Sequence, residues 1–276
     1  MSKFLAEWDL RLYIKFDYQM PRIISVLILA LVQGITEFLP VSSSGHLVVL
    51  KSLFGLRSAG AGLEVTLHAG TLLSILLYYR KFISSLIRDA FSREKATRKR
   101  SLRYILFLAL ATIPIALAGV FLGEMVTGFF SRPTLSGAML IITALVLFTT
   151  KFLGEGTPGI TPLRAGTVGL AQALALMPGI SRSGITIAAS RIMGIEAEEA
   201  ARFSFMIAIP AMIGAVIYEF ISHPASLEGI YIFGLLISAL VGYIALSLLV
   251  GVVRRRKLWI FAPYCLLLGL AVVIFL

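Results

Sequence analysis

Cysteine is almost absent from this 276-residue chain: Cys265 stands alone, inside an apolar run. A single thiol allows no intrachain disulfide and no thiolate metal cluster. Charge is scarce as well. Asp, Glu, Lys and Arg make up 14% of the residues, against roughly 25% in an average soluble domain. Negative charge is the scarcest, with 14 acidic side chains against 25 Lys and Arg, a formal net charge of +11. Hydrophobic residues take up the difference at 58%, with a mean hydropathy of +0.94. This composition excludes a soluble globular enzyme, a disordered chain and a fibre. It points to a polytopic membrane protein. The surplus positive charge then reads as loop charge and as attraction to anionic lipid, not as nucleic-acid binding.

A spanning helix needs about 20 mostly apolar residues. Stretches near 63–79, 104–123, 134–153, 203–221, 230–252 and 258–276 qualify. Regions 23–57 and 165–195 are also apolar, but Pro, Gly and Ser break each of them in the middle. Broken helices at membrane depth need protein or a water-filled cavity around them. Both regions are therefore expected to be re-entrant helix hairpins. Residues 1–22 mix Trp8, Tyr13, Phe16 and Tyr18 with Lys3, Arg11, Lys15 and Arg22. They lack the pattern of a signal peptide and are expected to form an interfacial amphipathic helix. The loop 80–103 is the most basic segment and is assigned to the cytoplasm. Counting from it places 151–164 and Arg254–Lys257 inside, and 124–133 and 222–229 outside, with both termini outside.

An internal repeat runs through the chain. Gln33 and Gln172, Ser42 and Ser181, Ser44 and Ser183, and Gly45 and Gly184 are each 139 positions apart. The fold expected is an all-α polytopic membrane protein with a single integral domain over 1–276. Repeats 23–135 and 136–276 each supply a re-entrant hairpin and three transmembrane helices. Three is odd, so the halves enter the membrane in opposite senses, with their hairpins facing each other near the midplane.

The polar residues of the hairpins carry the chemistry. Gln33 and Glu37 share a helix face at i, i+4. A carboxylate in an apolar helix is a functional-site hypothesis by default. Pro40 ends that helix, and Ser42, Ser43, Ser44, Gly45 and His46 follow. Carboxylate, hydroxyls and imidazole within ten residues suit nucleophilic or acid–base work, or metal ligation. The second hairpin holds Pro178, Gly179, Ser181, Arg182, Ser183, Gly184 and Thr186, with a helix expected from Ile185 to Met193. The Arg182 guanidinium needs an anion and matches phosphate oxygens bidentately. Helix-start N–H groups and the hydroxyls add donors. A buried Glu37–Arg182 salt bridge is the bland reading of the same pair. His68 has no comparable setting and reads as structural, and Glu64 as interfacial. Glu196, Glu198 and Glu199 read as a solvated helix start, and Arg191 and Arg202 as snorkelling charges.

The strings QGITEFLPVSSSGH and PGISRSGIT resemble the two signature regions of the bacterial undecaprenyl-diphosphatase family, UppP or BacA, linked to bacitracin resistance. The resemblance covers essentially the whole chain after about residue 20. It implies an integral plasma-membrane protein, with its site open to the outer face. Such a protein hydrolyses undecaprenyl diphosphate to the monophosphate and so recycles the lipid carrier of cell-wall synthesis. It also implies a divalent cation, Mg2+ or Ca2+. By the same resemblance Gln33 and Glu37 bind the metal or act as base. Glu37, Ser43, His46 and Arg182 become the catalytic residues, and Ser42, Ser44, Ser181, Arg182, Ser183 and Thr186 hold the diphosphate. Ser43, His46 and an activated water remain open as the nucleophile. Expected partners are the polyprenyl diphosphate and membrane lipid, with no nucleic acid and with a homodimer admitted. A transporter or flippase for a phosphate-bearing lipid or anion is the alternative of a different class.

Overall fold

The computed structural model describes residues 22–54, 61–130, 132–222 and 229–276. The interfacial helix expected before residue 22, and the segment holding His223 and Glu228, lie outside them. Among the described residues the regular structure is helical and no strand forms. The first half comprises α1 (Arg22–Phe38), α2 (Ser43–Phe54), α3 (Ala61–Tyr78), α4 (Arg80–Ala90), α5 (Lys95–Phe130) and α6 (Pro133–Thr149). The second comprises α7 (Pro162–Leu174), α8 (Arg182–Ile192), α9 (Ala197–Ser222), α10 (Gly229–Arg254) and α11 (Ala262–Phe275). Short 3-10 turns, Thr150–Phe152 and Leu258–Phe261, extend α6 and precede α11.

Helices α5, α6, α9, α10 and α11, with the flanking 3-10 turns of α6 and α11 included, are long and apolar enough to cross a membrane. The remaining expected span, 63–79, is the shorter apolar helix α3. Both broken regions are helix pairs. Their arms have 17 and 12 residues in α1 and α2, and 13 and 11 in α7 and α8. At about 1.5 Å per residue, no arm reaches the roughly 30 Å of a bilayer core. The second arm of the second hairpin starts at Arg182, three residues before the expected Ile185. Ser181 supplies the reason: its hydroxyl accepts the Gly184 N–H at 3.1 Å and caps the helix there.

The basic segment 80–103 is not a loop. It folds into α4 and the first turns of α5, because α4 is amphipathic. Phe82 packs edge-on against Tyr104 at 5.7 Å between ring centres, and Ser101 Oγ donates to the Leu86 carbonyl at 2.6 Å. Arg202 lies 4.9 Å over the Phe82 ring and pairs with Glu199. Arg191 does not snorkel. It is 7% exposed and folds back onto the carbonyls of Ile195, at 2.5 Å, and Gly154.

Small residues let the long helices approach closely, as expected where lipid supplies no hydrophobic drive between helices. α10 packs along both α3 and α1, α5 packs on α7, and α6 packs on α11. Between α6 and α11, a Cβ on Gly137 would come within 2.9 Å of the Gly269 carbonyl, and a Cβ on Gly269 within 2.7 Å of the Gly137 carbonyl. A Cβ on Gly70 of α3 would stand 2.1 Å from Ser238 Oγ and 2.5 Å from the Leu235 carbonyl of α10. Gly70→Val therefore forces α3 and α10 apart and is expected to cost about 1–3 kcal/mol by overpacking. A lower melting temperature of the purified protein in detergent checks this. Gly119→Val, where nothing lies within 4 Å, should leave the melting temperature in place.

The segments assigned to the inside share one end of the molecule. There Arg254 donates to Glu198 at 2.8 Å, and Arg256 pairs with Glu155. The Arg256 contact holds the Glu155 carboxyl below the usual carboxylate range. The second hairpin opens at this end, where Arg164 near the start of α7 bonds the carbonyls of Gly159 and Met193. The first hairpin opens at the other end. There Val26 and Leu29 of α1 and Leu47 of α2 form one apolar cluster with Leu63 and Leu67 of α3 and Tyr231 of α10. The two hairpins thus enter from opposite ends.

Candidate active site

The turns of the two hairpins meet. After α1, Val41 N–H donates to the Leu39 carbonyl at 2.7 Å, and Ser42 takes a left-handed φ of 66°. That conformation is uncommon for a residue with a Cβ. It is held by local bonds: Ser42 Oγ accepts the Gly45 N–H at 3.2 Å, and the Ser42 carbonyl accepts the His46 N–H at 3.2 Å. Across from it, Gly179 has φ 99°. Thr143 of α6 clamps this second turn. Its hydroxyl donates to the Gly179 carbonyl at 2.9 Å and accepts the Ser181 N–H at 3.2 Å.

The two turns carry the same cap. Ser42 and Ser44 hydroxyls are 3.2 Å apart at the start of α2, and Ser181 and Ser183 hydroxyls 3.3 Å apart at the start of α8. Each helix start sits on the other hairpin's turn. A Cβ on Gly45 would be 3.2 Å from Gly179, and one on Gly184 would be 3.1 Å from Pro40. The residues between the paired serines, Ser43 and Arg182, are the first residues of their helices. Both reach the same carboxylate.

That carboxylate is Glu37, one residue from the end of α1, with 5% of its side chain exposed. Its Oε2 accepts from Ser43 Oγ at 2.6 Å and from Gln33 Nε2 at 2.9 Å. Its Oε1 pairs with Arg182. A carboxylate at the C-terminal end of α1 is disfavoured by that helix's dipole, but the positive ends of α2 and α8 offset this. A small cavity beside it is lined by Ile75, Arg182, Ser183, Ser204 and Phe205.

The structure therefore joins Gln33, Glu37, Ser43 and Arg182, as the motif spacing implies. It places other expected residues one step back. Thr186 is fully buried, its hydroxyl donating to the Arg182 carbonyl at 2.7 Å and paired with Ser204 at 2.5 Å. Its hydroxyl serves the helix that presents Arg182. Ser42 and Ser181 serve as caps. His46 makes its hydrogen bonds to other groups than the carboxylate. Its Nδ1 donates to the Ser42 carbonyl at 2.7 Å, and its Nε2 accepts from the Tyr264 hydroxyl at 2.6 Å, with the rings stacked.

Two neighbours were not legible from the motifs. Tyr264, on α11, is one. His68 is the other: read from sequence as structural, it stands 3.8 Å from Glu37 and 3.0 Å from Gln33 Nε2. Its signal was available as an ionisable group inside an apolar span, which is a site hypothesis by default.

A carboxylate base bonded to a hydroxyl, beside a guanidinium and two helix starts, is equipped for attack on a phosphoryl group. Known proteins agree. The model of the bacitracin resistance protein BacA family matches residues 26–271. An undecaprenyl-diphosphatase of Korarchaeum cryptofilum is 39% identical over 260 residues, covering 91% of this chain and 98% of that protein. One from Desulfosudis oleivorans is 40% identical over 258 residues, covering 88% and 94%. One from Oceanobacillus iheyensis is 36% identical over 267 residues, covering 92% and 97%.

Proposed function

The chain belongs to the bacitracin resistance protein BacA family, and from that premise we propose how its residues hydrolyse undecaprenyl diphosphate. The observation that carries the proposal is Glu37, holding Ser43 Oγ at 2.6 Å on one oxygen and Arg182 on the other. The protein is a multi-pass membrane enzyme, and the polyprenyl tail lies among its apolar helices.

Without substrate, Arg182 is committed to Glu37. A diphosphate offers more negative charge and a geometry that the guanidinium fork fits in two bonds. When Arg182 turns to the terminal phosphoryl group, Glu37 loses its cation and becomes a stronger base. Ser43 Oγ then forms a bond to the terminal phosphorus as the bond from that phosphorus to the bridging oxygen breaks. Glu37 takes the serine proton and passes it to the departing lipid monophosphate. Water next attacks the phosphoserine, Glu37 takes a water proton and returns one to Ser43 Oγ, and inorganic phosphate leaves. The N–H groups at the starts of α2 and α8 add fixed donors for the developing charge. His46 acts here as a positioning residue, since both ring nitrogens are engaged in holding the turn that presents Ser43.

The residues also fit the divalent cation that the resemblance implies. Gln33 Oε1 is a buried oxygen with no partner, next to the Glu37 carboxylate. These are hard oxygen ligands of the kind Mg2+ and Ca2+ take, so Gln33 Oε1 and Glu37 would hold the cation. Among the described residues no three of His, Cys, Asp and Glu converge on a metal position. Bound there, a divalent cation would supply Lewis-acid neutralisation of the diphosphate charge.

We place the protein in the plasma membrane with the site reached from the outer side. The first hairpin opens opposite the end that carries Arg254 and Arg256, and basic segments face the cytoplasm. The test of the whole reading is phosphate release from a polyprenyl diphosphate by the purified protein. Release should need Mg2+ or Ca2+ and stop with chelator, and Ser43→Ala should lower it by at least about 100-fold. No release with any divalent ion overturns the reading. A Ser43→Ala rate equal to the unaltered enzyme transfers the attack to water.

A further inference from the structure

We propose that His68 is a positioning residue for the hydrolysis: it fixes the orientation of the Gln33 amide, and through it the Glu37 carboxylate. The inference rests on the site described above and adds a residue that lies outside both sequence motifs.

Gln33 is 1% exposed. Its amide nitrogen has two hydrogens, and both are used. One goes to Glu37 Oε2 at 2.9 Å and the other to His68 Nδ1 at 3.0 Å. A carboxylate oxygen accepts only. A ring nitrogen that receives an N–H also acts as acceptor, so His68 carries its proton on Nε2. Glu37, an obligate acceptor, selects one of the two amide orientations, and His68 as the second acceptor holds the amide in it. Turned over, Gln33 would aim Oε1 at the Glu37 carboxylate, a repulsion, and would oblige His68 to move its proton to Nδ1 to keep its bond. The orientation they enforce leaves Oε1 as the free end, and it is the one buried atom of this group without a partner. His68 thereby does two things at once. It fastens Gln33 to Glu37, and it keeps the amide oxygen available to a donor or cation in the site.

Position on the fold explains why α3 supplies this residue. α3 packs beside both α1 and α10, and His68 lies one turn before Thr71 on the same helix. Thr71 donates to the His68 carbonyl at 3.0 Å. The side chain of His68 is 39% exposed, so it is not a core group that packing alone would require. Removing its ring should cost little stability, and its contribution should appear in turnover.

The experiment compares His68→Leu, His68→Gln and Gln33→Leu, alone and as the Gln33→Leu/His68→Leu double variant, in purified protein with a polyprenyl diphosphate. Arg182→Ala is the control. His68→Leu should lower kcat about tenfold or more, with KM within about twofold and the melting temperature kept. His68→Gln restores an acceptor and should recover most of the rate. In the double variant the losses should not multiply, because the two residues act as one unit. A His68→Leu rate equal to the unaltered enzyme overturns the inference. So does a His68→Gln rate as low as that of His68→Leu, or a double variant whose losses multiply. If Arg182→Ala retains activity, the site reading itself fails. If Arg182→Ala is inactive and His68→Leu is not, only the role of His68 fails.

Discussion

Arg182→Ala is expected to lower phosphate release on the order of 100- to 1,000-fold, the scale of losing a charge-stabilising donor from a water-excluded site. The loss should fall on kcat more than on KM. The guanidinium meets the phosphoryl oxygens most strongly when charge builds on them. Arg182→Lys keeps the charge but not the fork, and should recover only part of the rate. The same substitution has a separate cost in stability. It leaves Glu37, 5% exposed, without its cation. Breaking one side of a buried pair costs about 3 kcal/mol, so the purified variant should melt at a lower temperature. Adding Glu37→Gln to Arg182→Ala should restore much of that stability and none of the activity. If the double variant melts no higher than Arg182→Ala, the pair is not the source of the cost.

Glu37→Gln alone is the second large effect. The substitution keeps shape and buried volume but removes the proton acceptor 2.6 Å from Ser43 Oγ. A positioned general base contributes about 100- to 10,000-fold, and phosphate release should fall within that range. The amide should also bind divalent cation more weakly than the carboxylate, so raising Mg2+ or Ca2+ should not bring the rate back. Full activity of Glu37→Gln at saturating cation would remove Glu37 from the base role.

Much of this site could be read from the chain. Gln33 and Glu37 sit four apart and do meet on one face of α1, at 2.9 Å. The repeated Ser-x-Ser-Gly pattern gave two helix starts with the same cap, and Arg182 found the anion that its burial demands. These features were legible because they are local: i, i+4 spacing and cap chemistry act within a few residues. His68 and Tyr264 were not legible from spacing. They lie 35 and 218 positions from their partners, and only the packing of α3 and α11 against the first hairpin brings them in. Thr186 was legible as a polar residue beside Arg182. Which way its hydroxyl turned depended on Ser204, eighteen positions away on α9. The basic segment 80–103 misled for the opposite reason. Charge density hid the apolar stripe that folds α4, where Phe82 and Ile83 pack against the core.

The matched caps of α2 and α8 have one more consequence. Ser43 and Arg182 occupy equivalent places in the two turns, yet one carries a neutral hydroxyl and the other a cation. A scaffold with near mirror-like ends thus yields a site with a sense of direction. A lipid diphosphate has two phosphoryl groups, an inner one that carries the lipid and a terminal one that carries more charge. Twin serine caps would bind either one alike. The single mismatch between the caps gives the site a front and a back, and the proposed mechanism uses it to bring the terminal phosphorus, and not the lipid-linked one, to Ser43.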